Sequence, residues 1–213
     1  MTLDTSAARC AAAVFSAGTK GWRNPAAAAV RDEPMVRGQA ERLAPMISEA
    51  LAKAGLAARD LSGIVVCTGP GNFTGLRIAV AAARGLALGA GLPAVGVPRL
   101  DALAAAQAGT GLASAAATRG RLYVQSFETR GGLPSAASEL RAISEDEASK
   151  EAAAEAAWAV GPLAPLLSRT GEPSDVVALP VLARLGATAL ARGDAERPAP
   201  VYLRPPDAAP PSE

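Results

Sequence analysis

Apolar and polar positions follow two rhythms along this chain, a period of two and a period near 3.6, and each stretch predicts an element. The opening MTLDTSAARCAAAVFS reads as a strand end at Thr2–Asp4, a turn over 5–9 and a second strand over Cys10–Ser16. Gly18 is placed to turn the chain into a third, weaker strand within Trp22–Val30. The rhythm then becomes helical: Leu43, Met46, Ile47, Ala50, Leu51 and Ala54 fall on one stripe, and Gly55 is placed to end the helix. Ile64–Cys67 is a short apolar strand, followed by a glycine-rich turn and a helix over about Thr74–Ala90. Leu92–Val97 predicts another strand, and Arg99–Gln107 a helix. Residues 1–108 thus read as an antiparallel start joined to a parallel α/β half.

Gly109–Gly111 is placed as a boundary between a first lobe, 1–108, and a second, 109–204. Beyond it a hairpin turning at Arg119–Gly120 repeats the opening pattern more weakly. An alanine-rich polar helix over Ser144–Glu155, a strand over Ala157–Val160, a short helix over Leu163–Ser168 and a closing helix over Leu179–Arg192 follow. The Pro-rich end, 205–213, is expected to be disordered.

Composition narrows the chemistry. Half of the 213 residues are hydrophobic but only 3% are aromatic, so the core must be built from Ala, Val and Leu with close backbone approaches. Lys and Arg number 21 against 20 acids, so no overall field draws in nucleic acid or an anionic membrane. Gly and Arg interrupt every apolar run before the ~18 residues of a spanning helix, and residues 1–16 lack the pattern of a leader; the cytoplasm is the expected compartment. Cys10 and Cys67 are expected as buried free thiols. There is no histidine, which removes the usual ligand of zinc and iron and the usual base of hydrolytic triads. No metal site and no catalytic residue is assigned.

The glycine turn, Gly69-Pro70-Gly71-Asn72-Phe73-Thr74-Gly75, sits where a strand enters a helix, and free N–H groups there can cradle a phosphate. Two spacings argue against the phosphate loops. Leu76 and Arg77 follow Gly75 where a Walker loop needs Lys and Ser or Thr, and Thr74 stands where the third glycine of G-x-G-x-x-G belongs. Thr74 is also available as the helix N-cap. The helix beyond has little bulk on any face, with Ala79, Ala82 and Gly89 among its small residues and Arg77 and Arg84 its only charges. Such a helix needs cover on both sides, by its own sheet and by a neighbouring helix or a second chain. Asp4-Thr5-Ser6, at a strand end, could orient a phosphate or a magnesium ion, or only form a turn.

Five segments, LDTS at Leu3–Ser6, ERLAPMI at Glu41–Ile47, GPGNFTGLR at Gly69–Arg77, GLALGAGLPAVGV at Gly85–Val97 and PVYLR at Pro200–Arg204, resemble the bacterial TsaB (YeaZ) family in order and spacing. The resemblance is dense over 1–105, thin over 109–198, and returns at 200–204. It implies an α/β, two-lobed, actin/Hsp70/sugar-kinase-like (ribonuclease H-like) fold with mixed sheets. It also implies a non-catalytic subunit supporting threonylcarbamoylation of adenosine 37 in tRNAs reading codons that begin with adenine. The implied partners are a TsaD-like catalytic paralogue and a TsaE-like ATPase, with tRNA met only through the complex and self-association left open. The implied partner face is built from Glu41, Leu43, Met46, Ile47, Arg77, Ala79, Ala82 and Gly89; Asp4, Thr5 and Ser6 would be a degenerate nucleotide loop. No cofactor of its own is expected, with ATP or ADP held only weakly or in the complex. Where the paralogue carries His-Leu-Glu-Gly-His, this chain reads Arg99-Leu100-Asp101-Ala102-Leu103. The family's opening strand is longer than Met1–Leu3, and its His-Ser-Glu is replaced by Gln39-Ala40-Glu41 after Gly38. A small phosphotransferase using Asp4 is the runner-up reading, ahead of a peptidase and a dinucleotide oxidoreductase.

Overall fold

The computed structural model describes residues 1–117, 120–147, 150, 157–162, 164–167, 176–194 and 197–203. The first sheet contains β1 (Thr2–Asp4), β2 (Arg9–Gly18), β3 (Gly21–Pro34), β4 (Ile64–Cys67) and β5 (Ala94–Val97), in the order β3-β2-β1-β4-β5. β1, β2 and β3 pair antiparallel, whereas β4 lies parallel to both β1 and β5. The mixed sheet implied by the pattern of residues 1–108 is therefore present. β1 is its central strand: Leu3 and Asp4 are fully buried.

Two strands depart from the expectation. β2 runs on through Gly18, so the turn falls at Thr19–Lys20. The weak third strand is a 14-residue edge strand whose side chains are mostly exposed. It is held by its ladder to β2 and by helix α1 (Gln39–Ala54), whose Arg42 reaches Glu33 at 2.6 Å and Glu49 at 2.7 Å.

The second sheet contains β6 (Gly109–Ala116), β7 (Arg121–Arg130), β8 (Leu133–Ala136), β9 (Arg141–Ser144) and β10 (Trp158–Val160). Its order is β10-β6-β7-β8, with β9 also on β7. β6 and β7 form the expected hairpin and β10 lies parallel to β6, so the order β8-β7-β6-β10 repeats β3-β2-β1-β4. β8 and β9 carry no alternation strong enough to announce them. Gly109–Gly111 opens β6. The helix expected over 144–155 begins on a strand residue, Ser144, and residues 148–149 and 151–156 lie outside the described set, as does the tail 205–213.

Helices α1 and α2 (Phe73–Ala90) cover one face of the first sheet, with Leu3, Leu43, Met46, Val66, Ala79 and Val80 in the core between. On its other face lie α3 (Arg99–Ala104) and α5 (Leu179–Arg192), in a core that also takes in Phe127 and Trp158 of the second sheet. α4 (Ala164–Leu167) is a single turn against β10. α5 packs onto β1, β3, β4 and β5, so residues after 109 are shared between both sheets. Gly186 makes this possible, because a Cβ there would stand 2.3 Å from Val65.

α2 corrects one reading. Despite its glycines and arginines, it is long and apolar enough to cross a membrane by length and composition, with a mean hydropathy of 1.3 over 18 residues. One face of it is buried on the sheet.

Candidate functional site

The glycine turn is clamped to the Asp4–Ser6 segment. Ser6 O accepts a hydrogen bond from Asn72 N at 2.8 Å, and Thr5 Oγ1 donates to Gly75 O at 2.6 Å. Two of the glycines exist for this contact: a Cβ at Gly71 would lie 2.1 Å from Ser6 O, and one at Gly75 would lie 2.0 Å from Thr5 O. Gly69 adopts φ +90 before a cis peptide bond to Pro70. The helix cap is Asn72 rather than Thr74: its side chain accepts from Gly75 N at 3.4 Å, and Thr74 is exposed. The turn's donors at Asn72, Gly75 and Leu76 thus bond within the chain.

Asp4, Thr5 and Ser6 are all buried. Asp4 Oδ1 accepts from Ser6 N at 2.8 Å, and its Oδ2 faces Arg9 NH1 at 3.6 Å. Arg9 in turn donates to both oxygens of Asp32 and, at 2.7 Å, to Val177 O. Asp4 thus faces a buried arginine across 3.6 Å, and its Oδ2 takes no hydrogen bond among the described residues. Cys67 Sγ–H donates to Ser6 Oγ at 3.3 Å. Both cysteines are free, and burial pushes the thiols of Cys10 and Cys67 up to about 11 and about 12.

Arg99 closes the arrangement from the other side. It is among the largest fully buried side chains in the protein, and its NH1 donates to Ser6 O at 3.4 Å and to Pro70 O at 3.5 Å. Its backbone N–H donates to Gly69 O at 2.6 Å. A guanidinium and the isobutyl group of Leu103 stand where the paralogue's two imidazoles are expected. These residues do not fit a metal, and the described residues contain no group of three His, Cys, Asp or Glu that could hold one. Arg99→Met is expected to cost about 1–3 kcal/mol in chemical denaturation, because it removes the guanidinium's bond to Pro70 O and one of the two donors to Ser6 O.

Asp101 lies in the first turn of α3, half-buried, and burial pushes its carboxyl up to about 6 against an ordinary 3.8. The folded chain holds that proton more tightly than the unfolded one. Its contribution is fully present below about pH 4 and is lost as the pH rises through about 6. Asp101→Asn is expected to stabilise the fold by up to about 3 kcal/mol at pH 8 and by little at pH 4, measured by urea melts at both.

The expected partner face divides. Leu43, Met46, Ile47 and Ala79 are buried against the chain's own sheet, so they cannot meet a second protein. Glu41, Arg77 and Gly89 are exposed, and Ala82 is half-buried between α1 and α2. The outer strip of α2 is instead Phe73, Arg77, Ala81, Gly85, Leu88 and Gly89, with Leu88 86% exposed. A Cβ at Gly85 or Gly89 would meet nothing within 4 Å. At its N-terminal end Arg77 lies 3.8 Å over the Phe73 ring and donates through Nε to Tyr202 Oη at 3.0 Å. The sequence marks Tyr202 only as part of PVYLR and as one of few aromatic residues; its contact with Arg77 and Phe73 comes from the fold.

A family profile described as TsaD, tRNA N6-adenosine threonylcarbamoyltransferase, matches residues 33–155, more than half of the chain. The chain belongs to this family, within its TsaB/YeaZ group. The tRNA threonylcarbamoyladenosine biosynthesis protein TsaB of Haemophilus influenzae is 37% identical over 106 residues, 50% of this chain and 42% of that protein. The TsaB protein of Escherichia coli is 34% identical over 104 residues, 49% and 42% respectively. The match thus spans less than half the length of these relatives. The crystal structure of a Pseudomonas aeruginosa protein with similarity to the peptidase YeaZ superposes with a TM-score of 0.79 at 27% identity, covering 95% of this chain and 98% of that one. The fold is α/β with mixed sheets, of the actin-like, ribonuclease H-like type.

Proposed function

We propose that this chain is a non-catalytic subunit in the biosynthesis of threonylcarbamoyladenosine at position 37 of tRNAs reading codons that begin with adenine. Its role is to bind and support a TsaD-like catalytic paralogue. The observation that carries the reading is the closure of the glycine turn. Its Asn72, Gly75 and Leu76 donors are bonded within the chain, Asp4 faces Arg9, and Arg99 occupies the ground beside them. What the chain still offers outward is a surface, the apolar strip of α2, rather than a reaction centre. The names of the TsaB relatives support the pathway, and TsaD proteins among the relatives support the kind of partner. The TsaE-like ATPase and a cytoplasmic setting belong to the same proposal, and tRNA is met through the complex.

The test is reconstitution. The purified chain is mixed with threonylcarbamoyl-adenylate and substrate tRNA, with and without the TsaD-like paralogue from its own cell. No modified adenosine is expected from the chain alone, and a dependence of the paralogue's yield on the chain is expected. Transfer by the chain alone, or ATP turnover by it in isolation, would overturn the reading.

A further inference from the structure

The outer strip of α2 has a charged margin. At 3.6 residues per turn, Phe73, Arg77 and Arg84 fall along one side of the strip, Ala81 and Leu88 along its middle, and Gly85 and Gly89 along the other side. Arg77 and Arg84 are two turns apart, about 10 Å along the axis. They are the only charged residues of α2, which has no acid.

The two cations are held differently. Arg77 lies 3.8 Å over the Phe73 ring and 5.7 Å from the centre of the Tyr202 ring, and the two rings are 5.1 Å apart. Its Nε donates to Tyr202 Oη at 3.0 Å. Stacking and this bond fix the guanidinium plane, while the two terminal nitrogens have no acceptor among the described residues. An arginine held in this way presents a preformed fork, the geometry that takes a carboxylate through two parallel bonds. Arg84 is half-buried, and its Nε is sealed from water without an acceptor among the described residues. A guanidinium partly out of water and lacking an anion is under-satisfied, and an incoming carboxylate relieves it. On the neighbouring helix, Glu49 is already taken by Arg31 and Arg42.

Charge and polarity together select the occupant. A second copy of the chain would bring the same two cations on its own strip, and no acid. A nucleic-acid backbone would meet the cations but also Ala81 and the 86% exposed Leu88, apolar ground that phosphates do not cover. A protein surface with an apolar ridge and acids along one side satisfies both parts, with the apolar centre and polar rim of ordinary interfaces.

We propose, resting on the reading of the chain as a supporting subunit, that Arg77 and Arg84 determine the specificity of the α2 face. They bind two carboxylates of the TsaD-like partner, set about 10 Å apart beside a small or apolar ridge. Tyr202 is a positioning residue that acts through Arg77. Its ring and that of Phe73 keep water from the Arg77 pair, whereas a fully solvated pair contributes little.

The test is titration calorimetry of the intact chain with the purified paralogue at low and high salt, about 50 and 400 mM, each variant being checked by circular dichroism. Arg77→Met is expected to weaken binding at least about tenfold, and Arg77→Lys by about as much, because it keeps the charge without the fork. Arg77→Glu should cost at least about tenfold more than Arg77→Met, since it faces an acid with an acid. Tyr202→Phe keeps the ring and should cost only a few-fold. High salt should weaken the parent strongly and the Arg77→Met/Arg84→Met double variant little. Should Arg84 variants not fold, the Arg77 series and its salt response carry the test alone. Binding unchanged in Arg77→Met, equal losses for Arg77→Met and Arg77→Glu, or a salt response untouched by the substitutions would overturn this proposal and leave the subunit reading standing. So would a chain that dimerises by itself, or binds tRNA without the paralogue, and loses that association with Arg77→Met while still binding the paralogue. A parent chain that does not bind the paralogue overturns both.

Discussion

Gly75→Ala is expected to destabilise the protein by more than about 4 kcal/mol, enough to unfold many domains of this size, whereas Gly85→Ala ten residues along the same helix is expected to stabilise it slightly. Both glycines lie inside α2 and neither has a positive φ, so backbone preference alone favours alanine at both by about 0.5–1 kcal/mol. Space decides the sign. At Gly85 a Cβ meets nothing within 4 Å. At Gly75 it would stand 2.0 Å from Thr5 O, a backbone atom that cannot rotate away. Relief requires moving the Asp4–Ser6 segment, which would break the Thr5 Oγ1–Gly75 O bond and disturb the Asp4–Arg9 pair behind it. Paired urea melts would read the difference. A Gly75→Ala protein within about 1 kcal/mol of the parent would mean that the turn is not clamped as described.

Placing charge or bulk on the outer strip of α2 is expected to weaken the proposed association with a TsaD-like partner about a hundredfold, with little effect on the fold. Leu88 is 86% exposed and Gly85 is open, so Leu88→Asp and Gly85→Trp disturb no internal packing. In the proposed complex, Leu88→Asp would bury an unpaired carboxylate and Gly85→Trp would hold the partner's surface away from α2. Either costs on the order of 2–3 kcal/mol, which is the hundredfold. Ala79→Leu would be a poor test, because Ala79 is fully buried and the change would strain the core instead. Titration calorimetry with the purified paralogue would measure the loss, with Leu133→Asp on β8 as the control. Undiminished binding by both α2 variants together with loss in the control would move the face to the second sheet.

Where the pattern was strong, the sequence was enough. α1 carries a clear stripe and a glycine end, α5 a Pro near its start and a glycine after it, and β4 is apolar throughout; their limits were legible to within a residue or two. β3 was legible only as a weak piece, because most of its side chains face water and its stability comes from backbone pairing, which leaves no mark on side-chain type. The site was harder for a related reason. In a helix rich in Ala and Gly the apolar stripe is weaker than that of α1, so the sequence does not tell Ala79 from Gly89 although one is sealed and the other open. The sequence shows Arg99 only as an arginine where the resemblance implies an imidazole, and its burial against Ser6 O and Pro70 O depends on contacts 93 and 29 residues away.

The segment Arg197–Leu203 lies against the first sheet beside β5 and does not extend it. β5 is an edge strand, and an open edge can recruit strands from other molecules into aggregates. Here Pro198 lies against Gly96, Val201 spends its N–H on Thr68 O, and Tyr202 is fastened to Arg77. Pro198 and Pro200 have no N–H to offer. Short of donors and tied at Thr68 and Arg77, this segment lies against the sheet without adding a strand to β5.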